Sequence, residues 1–250
     1  VRSGRLETVT VSGLGTVPGL VHGFERRRGP AAAESREEGR RRVGEALSGA
    51  GELLLLRQVH GAAVAEAPWT EPPEADAALA LRGGLILGIE TADCLPVLLV
   101  DPVRGWVAAA HAGWRGTAQR VTARAASALA SRGSAPEDLL AALGPGIGPC
   151  CYEVGDELRA AYGSSGQSYF RPGPNGRPHL DVRAANRDQL LAAGLRKERI
   201  FSVEECTRCR ADLYHSYRRD GRGAGRMISF VGFAPGASLR PDALGPPGRP

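Results

Sequence analysis

The chain of 250 residues, 42% hydrophobic and 24% charged, has the composition of an ordinary globular protein rather than a fibrous or low-complexity one. No run reaches the roughly 18 apolar residues of a membrane helix, and the opening VRSGRLETVT lacks the apolar stretch of a signal peptide, so a soluble cytoplasmic protein with no membrane partner is expected. The formal charge of +5 is supplied almost wholly by arginine, Lys197 being the single lysine, but acids are interspersed among the bases and aromatic residues make up only 5%, a pattern that argues against a nucleic-acid partner.

In chain order, alternating polar and apolar residues predict two short strands, Leu6 to Val11 and Leu20 to Phe24, joined by a Gly/Pro turn. A charged helix follows from Glu34 to Leu47. LLLLRQVH at 53–60 reads as a buried strand carrying Gln58 and His60 to its C-terminal edge, where α/β folds place chemistry. From Leu85, LILGIETADC, LPVLLV and WVAAAHAG predict three strands, and a small-residue helix from Thr117 to Ser131 ends at Gly133. LLAALG at 139–144 predicts a strand. Beyond it, helices are expected over Glu153 to Tyr162 and Val182 to Ala193, with strands at Ile200 to Val203 and Met227 to Phe233. The element pattern is α/β: a layered sandwich with mixed sheets, a single domain over 1–234. The closing PGASLRPDALGPPGRP, 235–250, has the composition of a flexible tail.

The segment between Thr91 and Gly116 carries the strongest chemical signal. LPVLLV and WVAAAH flank Asp101-Pro-Val-Arg-Gly105, whose ends favour a chain reversal. A turn centred between Pro102 and Val103 sets Cys94 opposite His111, with side-chain roots roughly 4.5 to 5.5 Å apart. A slip of one residue would move one of them to the other face. Asp93 lies beside them, read either as a proton shuttle or as the group that orients His111. HAGWRGT passes from strand to helix, so its free N–H groups and Arg115 make an anion-binding corner, and Gly113 and Gly116 permit close approach of a ligand. His60 stands 34 residues before Cys94, a spacing of no compact metal motif, and its position relative to the pair is not legible.

RQVHG (57–61), ADA (75–77), TADCLPVLL (91–99), HAGWRGT (111–117), GPGIGPCCYEVG (144–155), CTRC (206–209) and HSYRRDG with GRM (215–227) resemble the bacterial polyphenol-oxidase or laccase-domain family, also called the peptidoglycan editing factor family. The resemblance spans Phe24 to Phe233 and implies an α/β/β/α arrangement. It also implies that the His of QVHG, the Cys of TADC and the first His of HAGWRG are zinc ligands, here His60, Cys94 and His111. Three ligands with a vacant fourth position is the pattern of catalytic zinc, and a Cys/His mixture suits zinc, with copper the alternative.

The activities attached to the family are purine nucleoside and methylthioadenosine phosphorolysis, adenosine deamination, copper-dependent phenol oxidation, and amide hydrolysis in peptidoglycan-precursor editing. The resemblance therefore implies a zinc enzyme of purine nucleosides, with Cys94, His111 and Asp93 at the chemistry and Arg27 and Arg115 for phosphate. A cysteine amidohydrolase, with Cys94 as thiolate and His111 as base, is the alternative. The chain's five histidines contain no H-x-H, too few to hold several coppers, so a true laccase is discounted. The pattern departs from the family at Arg27-Arg28-Gly29-Pro30 and in a shortened loop before the helix near Glu34, which bears on substrate choice.

The five cysteines suit a reduced compartment. Cys206 and Cys209 form a C-x-x-C without a second matched pair and are read as structural, as are Cys150 and Cys151. Arg218 in SYRRD is read either as substrate-facing or as an ion pair with Asp220. His22, His179 and His215 take no role.

Overall fold

A computed structural model describes residues 6–28 and 34–237. The departure at Gly29-Pro30 and nearly all of the expected tail lie outside the described residues. In chain order the elements are β1 (Thr8–Val9), α1 (Ser12–Gly15), β2 (Leu20–Glu25), α2 (Arg36–Leu47), β3 (Glu52–Leu55), β4 (Val64–Glu66) and β5 (Ala77–Ala80). The central elements are β6 (Leu85–Thr91), β7 (Leu95–Asp101), β8 (Trp106–Ala112), α3 (Trp114–Ala118), α4 (Val121–Ser131) and β9 (Leu140–Leu143). The remainder is α5 (Glu157–Tyr162), β10 (Phe170–Pro172), β11 (Pro178–Leu180), α6 (Val182–Ala192), β12 (Ile200–Ser202), α7 (Tyr217–Asp220) and β13 (Met227–Phe233).

The strands form two mixed sheets, ordered β1-β2-β13-β6-β3 and β12-β9-β7-β8-β5-β4, and a separate β10-β11 hairpin. In the first sheet only β3 and β6 run parallel; in the second, β12 pairs parallel with β9 and β4 with β5. Strand alternation sorts the side chains into layers. Leu98 and Val100 of β7 meet Leu85, Leu87 and Ile89 of β6 between the sheets, whereas Val97 and Leu99 face Val121, Leu129 and Leu190 of α4 and α6. On the outer face of the first sheet, Ile86 and Phe230 pack under Val43 and Leu47 of α2. The order of layers is thus α/β/β/α. Leu98 and Leu99 are fully buried, and each such side chain contributes about 1.5–3 kcal/mol of burial.

Local chemistry moves several boundaries. Helix α2 starts at Arg36 because Ser35 and Glu38 form a reciprocal capping box. The helix expected over Thr117 to Ser131 is two helices, broken where Arg120 takes a left-handed φ of 63°. The one expected from Glu153 begins only at Glu157, because Tyr152 and Val154 pair through their backbones with Leu180 and Pro178. Between β1 and β2 the Gly/Pro turn contains the short helix α1. Among the described residues no helix is long and apolar enough to cross a membrane.

Candidate metal centre

The β7–β8 hairpin pairs Asp101 with Trp106, Pro96 with His111 and Leu95 with Ala112. The turn is therefore four residues, Pro102 to Gly105, and its centre lies one position beyond the expected one. The cause is Asp101, whose Oδ1 accepts the N–H groups of Val103 and Arg104, both at 2.9 Å, and Gly105, which closes the turn at φ 70°. Cys94 consequently sits two positions from the place opposite His111. A two-residue slip preserves the face, and the Cys94 and His111 side chains still converge.

His60 joins them. One ligand atom from each of His60, Cys94 and His111 lies within 4.8 Å of the other two, and the two imidazoles stand edge to face with centroids 4.8 Å apart. The organising residue is Asp76, just before β5 and fully buried. Its Oδ1 lies 2.7 Å from His111 Nδ1 and accepts the N–H of His60 at 3.0 Å; its Oδ2 accepts Val59 at 3.1 Å and Gly61 at 2.6 Å. These three amides clasp the 59–61 loop and hold His60 at a φ of 61°, a left-handed conformation costing a non-glycine residue about 1–2 kcal/mol. The bond to Asp76 leaves Nε2 of His111 to face Cys94.

Burial would raise the carboxyl pKa of Asp76, but the hydrogen bond to His111 and the loop amides outweigh it and hold the pKa below its usual range. Burial would likewise push the Cys94 thiol up, yet His111 and His60 beside it bring it down to about 6. Against the same burial, Cys94 and Asp76 raise His111 to about 9. Each of the two groups thus favours the charged form of the other. Two imidazole nitrogens and one thiolate, converging with an open side, fit a single borderline-soft cation. The remaining histidines lie elsewhere: His179, for example, bonds the carbonyl of Pro149 at 2.6 Å.

The centre opens into a cavity of about 510 Å³. Asp93 lines it, but it is Asp76 that orients His111. Asp93 Oδ1 accepts the Thr207 hydroxyl at 2.6 Å and Oδ2 the N–H of Arg218 at 2.6 Å. Arg115 reaches the cavity with its guanidinium 4.4 Å over the Trp114 ring, and makes no ion pair among the described residues. Arg27 is not in the lining; its Nη1 donates to the carbonyl of Ala211 at 2.8 Å. Arg218 does line the cavity, 5.2 Å over the ring of Tyr152, while Asp220 pairs with Arg219. Both glycines stand where a side chain has no room, and Gly113 lines the cavity. A Cβ on Gly113 would meet Cys94 Sγ at 3.0 Å, and one on Gly116 would meet the carbonyl of Gly61 at 2.9 Å. Asp76 and Tyr152 carried no role in the sequence reading; each stood inside a quoted string, ADA or PCCYEVG, with nothing local to mark it.

A purine nucleoside phosphorylase of Deinococcus radiodurans is 40% identical over 196 residues, 78% of this chain and 76% of that one. Adenosine deaminase RL5, from an unknown prokaryotic organism, is 36% identical over 195 residues, 72% of this chain and 74% of that one. The crystal structure of YlmD from Geobacillus stearothermophilus superposes with a TM-score of 0.79 at 29% identity, covering 92% of this chain and 100% of that chain. Residues 30–234 match the family described as multi-copper polyphenol oxidoreductase laccase, and the chain belongs to that family.

Proposed function

We propose that the chain is a zinc-dependent enzyme of purine nucleosides that performs phosphorolysis of adenosine or inosine and deamination of adenosine. The observation that carries this reading is the convergence of His60, Cys94 and His111 at a cavity lined by aromatic rings and by arginines, among them Arg115, which has no carboxylate partner among the described residues. When bound, zinc would supply Lewis-acid chemistry, acidifying a water for attack on the purine. The relatives named purine nucleoside phosphorylase and adenosine deaminase support the substrate class.

The chain's own residues have separable tasks. Asp76 fixes the tautomer of His111 and the position of His60. Arg115, exposed and without a carboxylate partner among the described residues, supplies a forked cation for phosphate. Tyr152, its hydroxyl kept protonated chiefly by burial, and Arg218 stacked on it offer a flat surface for a purine ring. Asp93, held by Thr207 and Arg218, faces the cavity as the group that passes a proton to the departing base or ammonia.

Incubating the zinc-loaded chain with adenosine, with and without phosphate, tests the reading. Adenine formed only with phosphate marks phosphorolysis, inosine in either case marks deamination, and neither product would overturn it. Cys94→Ala should lose the metal of the histidine centre and turnover together, with the circular dichroism unchanged.

The convergence of Cys94 and His111, each favouring the charged form of the other, supports a second reading, a cysteine amidohydrolase in which Cys94 attacks an amide carbon and His111 protonates the leaving amine. Full activity of rigorously metal-free protein on an amide would select it over the zinc reading. Oxidation by several coppers is not proposed, because among the described residues only one centre contains histidine.

A further inference from the structure

The C-x-x-C of 206–209 has a partner after all. Sulfur atoms of Cys150, Cys151, Cys206 and Cys209 all lie within 4.8 Å of one another, with Cys209 Sγ 3.4 Å from Cys151 and 3.7 Å from Cys150. The five cysteines therefore divide into one, Cys94, at the histidine centre and four at a separate place. A single tetrahedral zinc with Zn–S bonds of about 2.3 Å spaces its sulfurs roughly 3.8 Å apart. A disulfide requires about 2.05 Å, and a cluster of several irons spreads its thiolates farther than one ion does. The observed spacing is that of four ligands around one ion.

The surroundings are built for the charge. Two zinc charges against four thiolates leave a dianion, and Nη1 of Arg208 lies 3.5 Å from Cys151 Sγ. The N–H of Gly148 donates to Cys206 Sγ at 3.2 Å. A Cβ on Gly148 would stand 3.3 Å from Cys150 Sγ and 3.3 Å from Cys206 Cβ, so glycine keeps the space between the two cysteine-bearing segments. The segments are already joined by backbone: Gly146 bridges Cys206, and Thr207 donates to the carbonyl of Gly146 at 3.1 Å. Cys150 and Cys209 are exposed, which gives an ion its entry.

We propose that Cys150, Cys151, Cys206 and Cys209 bind one structural zinc ion as a tetrathiolate centre, independent of the His60–Cys94–His111 centre. As zinc enters, the thiol protons leave to solvent, with no change in oxidation state. The ion clamps the loop after β9 to the loop after β12. Thr207, between two of the ligands and fully buried, donates to Asp93 at 2.6 Å, so the clamp also positions the carboxylate beside Cys94.

The test is metal analysis of the full chain, loaded with zinc and then passed through a weak chelator. Wild type should retain two zinc ions per chain, Cys94→Ser one, and the double variant Cys206→Ser/Cys209→Ser one. Equal zinc in the double variant and wild type would overturn the proposal, as would a Cys94→Ser chain that holds no zinc. Iron in place of zinc, or an intact mass showing a disulfide among the four, would overturn it too. Should the double variant fail to fold, zinc-edge X-ray absorption of Cys94→Ser keeps the question open to refutation: four sulfurs at about 2.3 Å are expected, and a shell with nitrogen or oxygen would refute the site.

Discussion

Asp76 Oδ1 stands 2.7 Å from Nδ1 of His111 and at the same time accepts the backbone N–H of His60 at 3.0 Å. One buried carboxylate thus sets the ring orientation of one ligand and the backbone position of another, across 35 residues of sequence in the first case. Asparagine at this position retains one acceptor oxygen and brings an NH₂ donor against N–H groups that both need an acceptor. Asp76→Asn is expected to lower zinc affinity at this centre by about 10–100-fold, the usual effect of removing such a partner, with the fold retained. Competition with a coloured chelator measures it. Wild-type affinity in the variant would remove Asp76 from its positioning role.

Arg115→Ala separates the two reactions proposed for the cavity. Its guanidinium lines the cavity without a carboxylate partner among the described residues, so its loss should raise the KM for phosphate by about tenfold, the equivalent of roughly 1.4 kcal/mol. Deamination, which uses water in place of phosphate, should keep its kcat/KM within about twofold, a difference under 0.5 kcal/mol. Steady-state kinetics with phosphate varied and then omitted give both values. A parallel fall in the two reactions would assign Arg115 to the nucleoside or to the structure.

The hairpin was legible because its information is local: two apolar runs, an Asp at one end of the turn and a Gly at the other. Its register was misplaced by the Asp101 side chain, which extends the turn by bonding Val103 and Arg104, something composition alone does not reveal. Strand β5 is AALA, with little β-propensity of its own; it is a strand because small side chains fit against β8, where Ala77 pairs with Ala110 and Ala78 with Ala109. Asp76 looks like any acid in an alanine-rich stretch, and its role appears only when β5 lies beside β8. The four clustered cysteines were equally hidden, since the adjacent pair and the C-x-x-C meet through a bridge between Gly146 and Cys206. Local chemistry was readable; convergence of distant segments was not.

Glu90 gives the fold a predictable acid response. Its side chain is nearly fully buried, and Arg36 and Arg40 each bond it through two nitrogens, the shortest contacts being 2.6 and 2.5 Å. Burial would raise the carboxyl, but the two guanidinium groups outweigh it and hold the pKa below its ordinary 4.5. Because the folded-state pKa is the lower one, the stabilisation is fully present above the unfolded value and is lost as pH falls through the folded one. The arginines are half exposed, so screening limits the effect. Glu90→Gln should be less stable than wild type at neutral pH, and the two urea midpoints should converge as pH drops through the carboxylate range. Curves that stay parallel would show that the ion pairs do not govern this limb.

Gly113 is the point where space, not charge, controls the centre. A Cβ there would lie 3.0 Å from Cys94 Sγ and 3.3 Å from His60 Cδ2, closer than van der Waals contact to two ligands at once. The backbone conformation is no obstacle, since Gly113 has a φ of −72° that any residue adopts. Gly113→Ala therefore acts by pushing Cys94 and His60 apart. The expected result is a fall in zinc affinity of about tenfold or more, comparable with other outer-shell changes, while the thermal midpoint of the metal-free chain moves little. A variant that binds zinc as wild type does would mean the ligands relax freely around the added methyl, and that the 4.8 Å convergence is not sterically enforced.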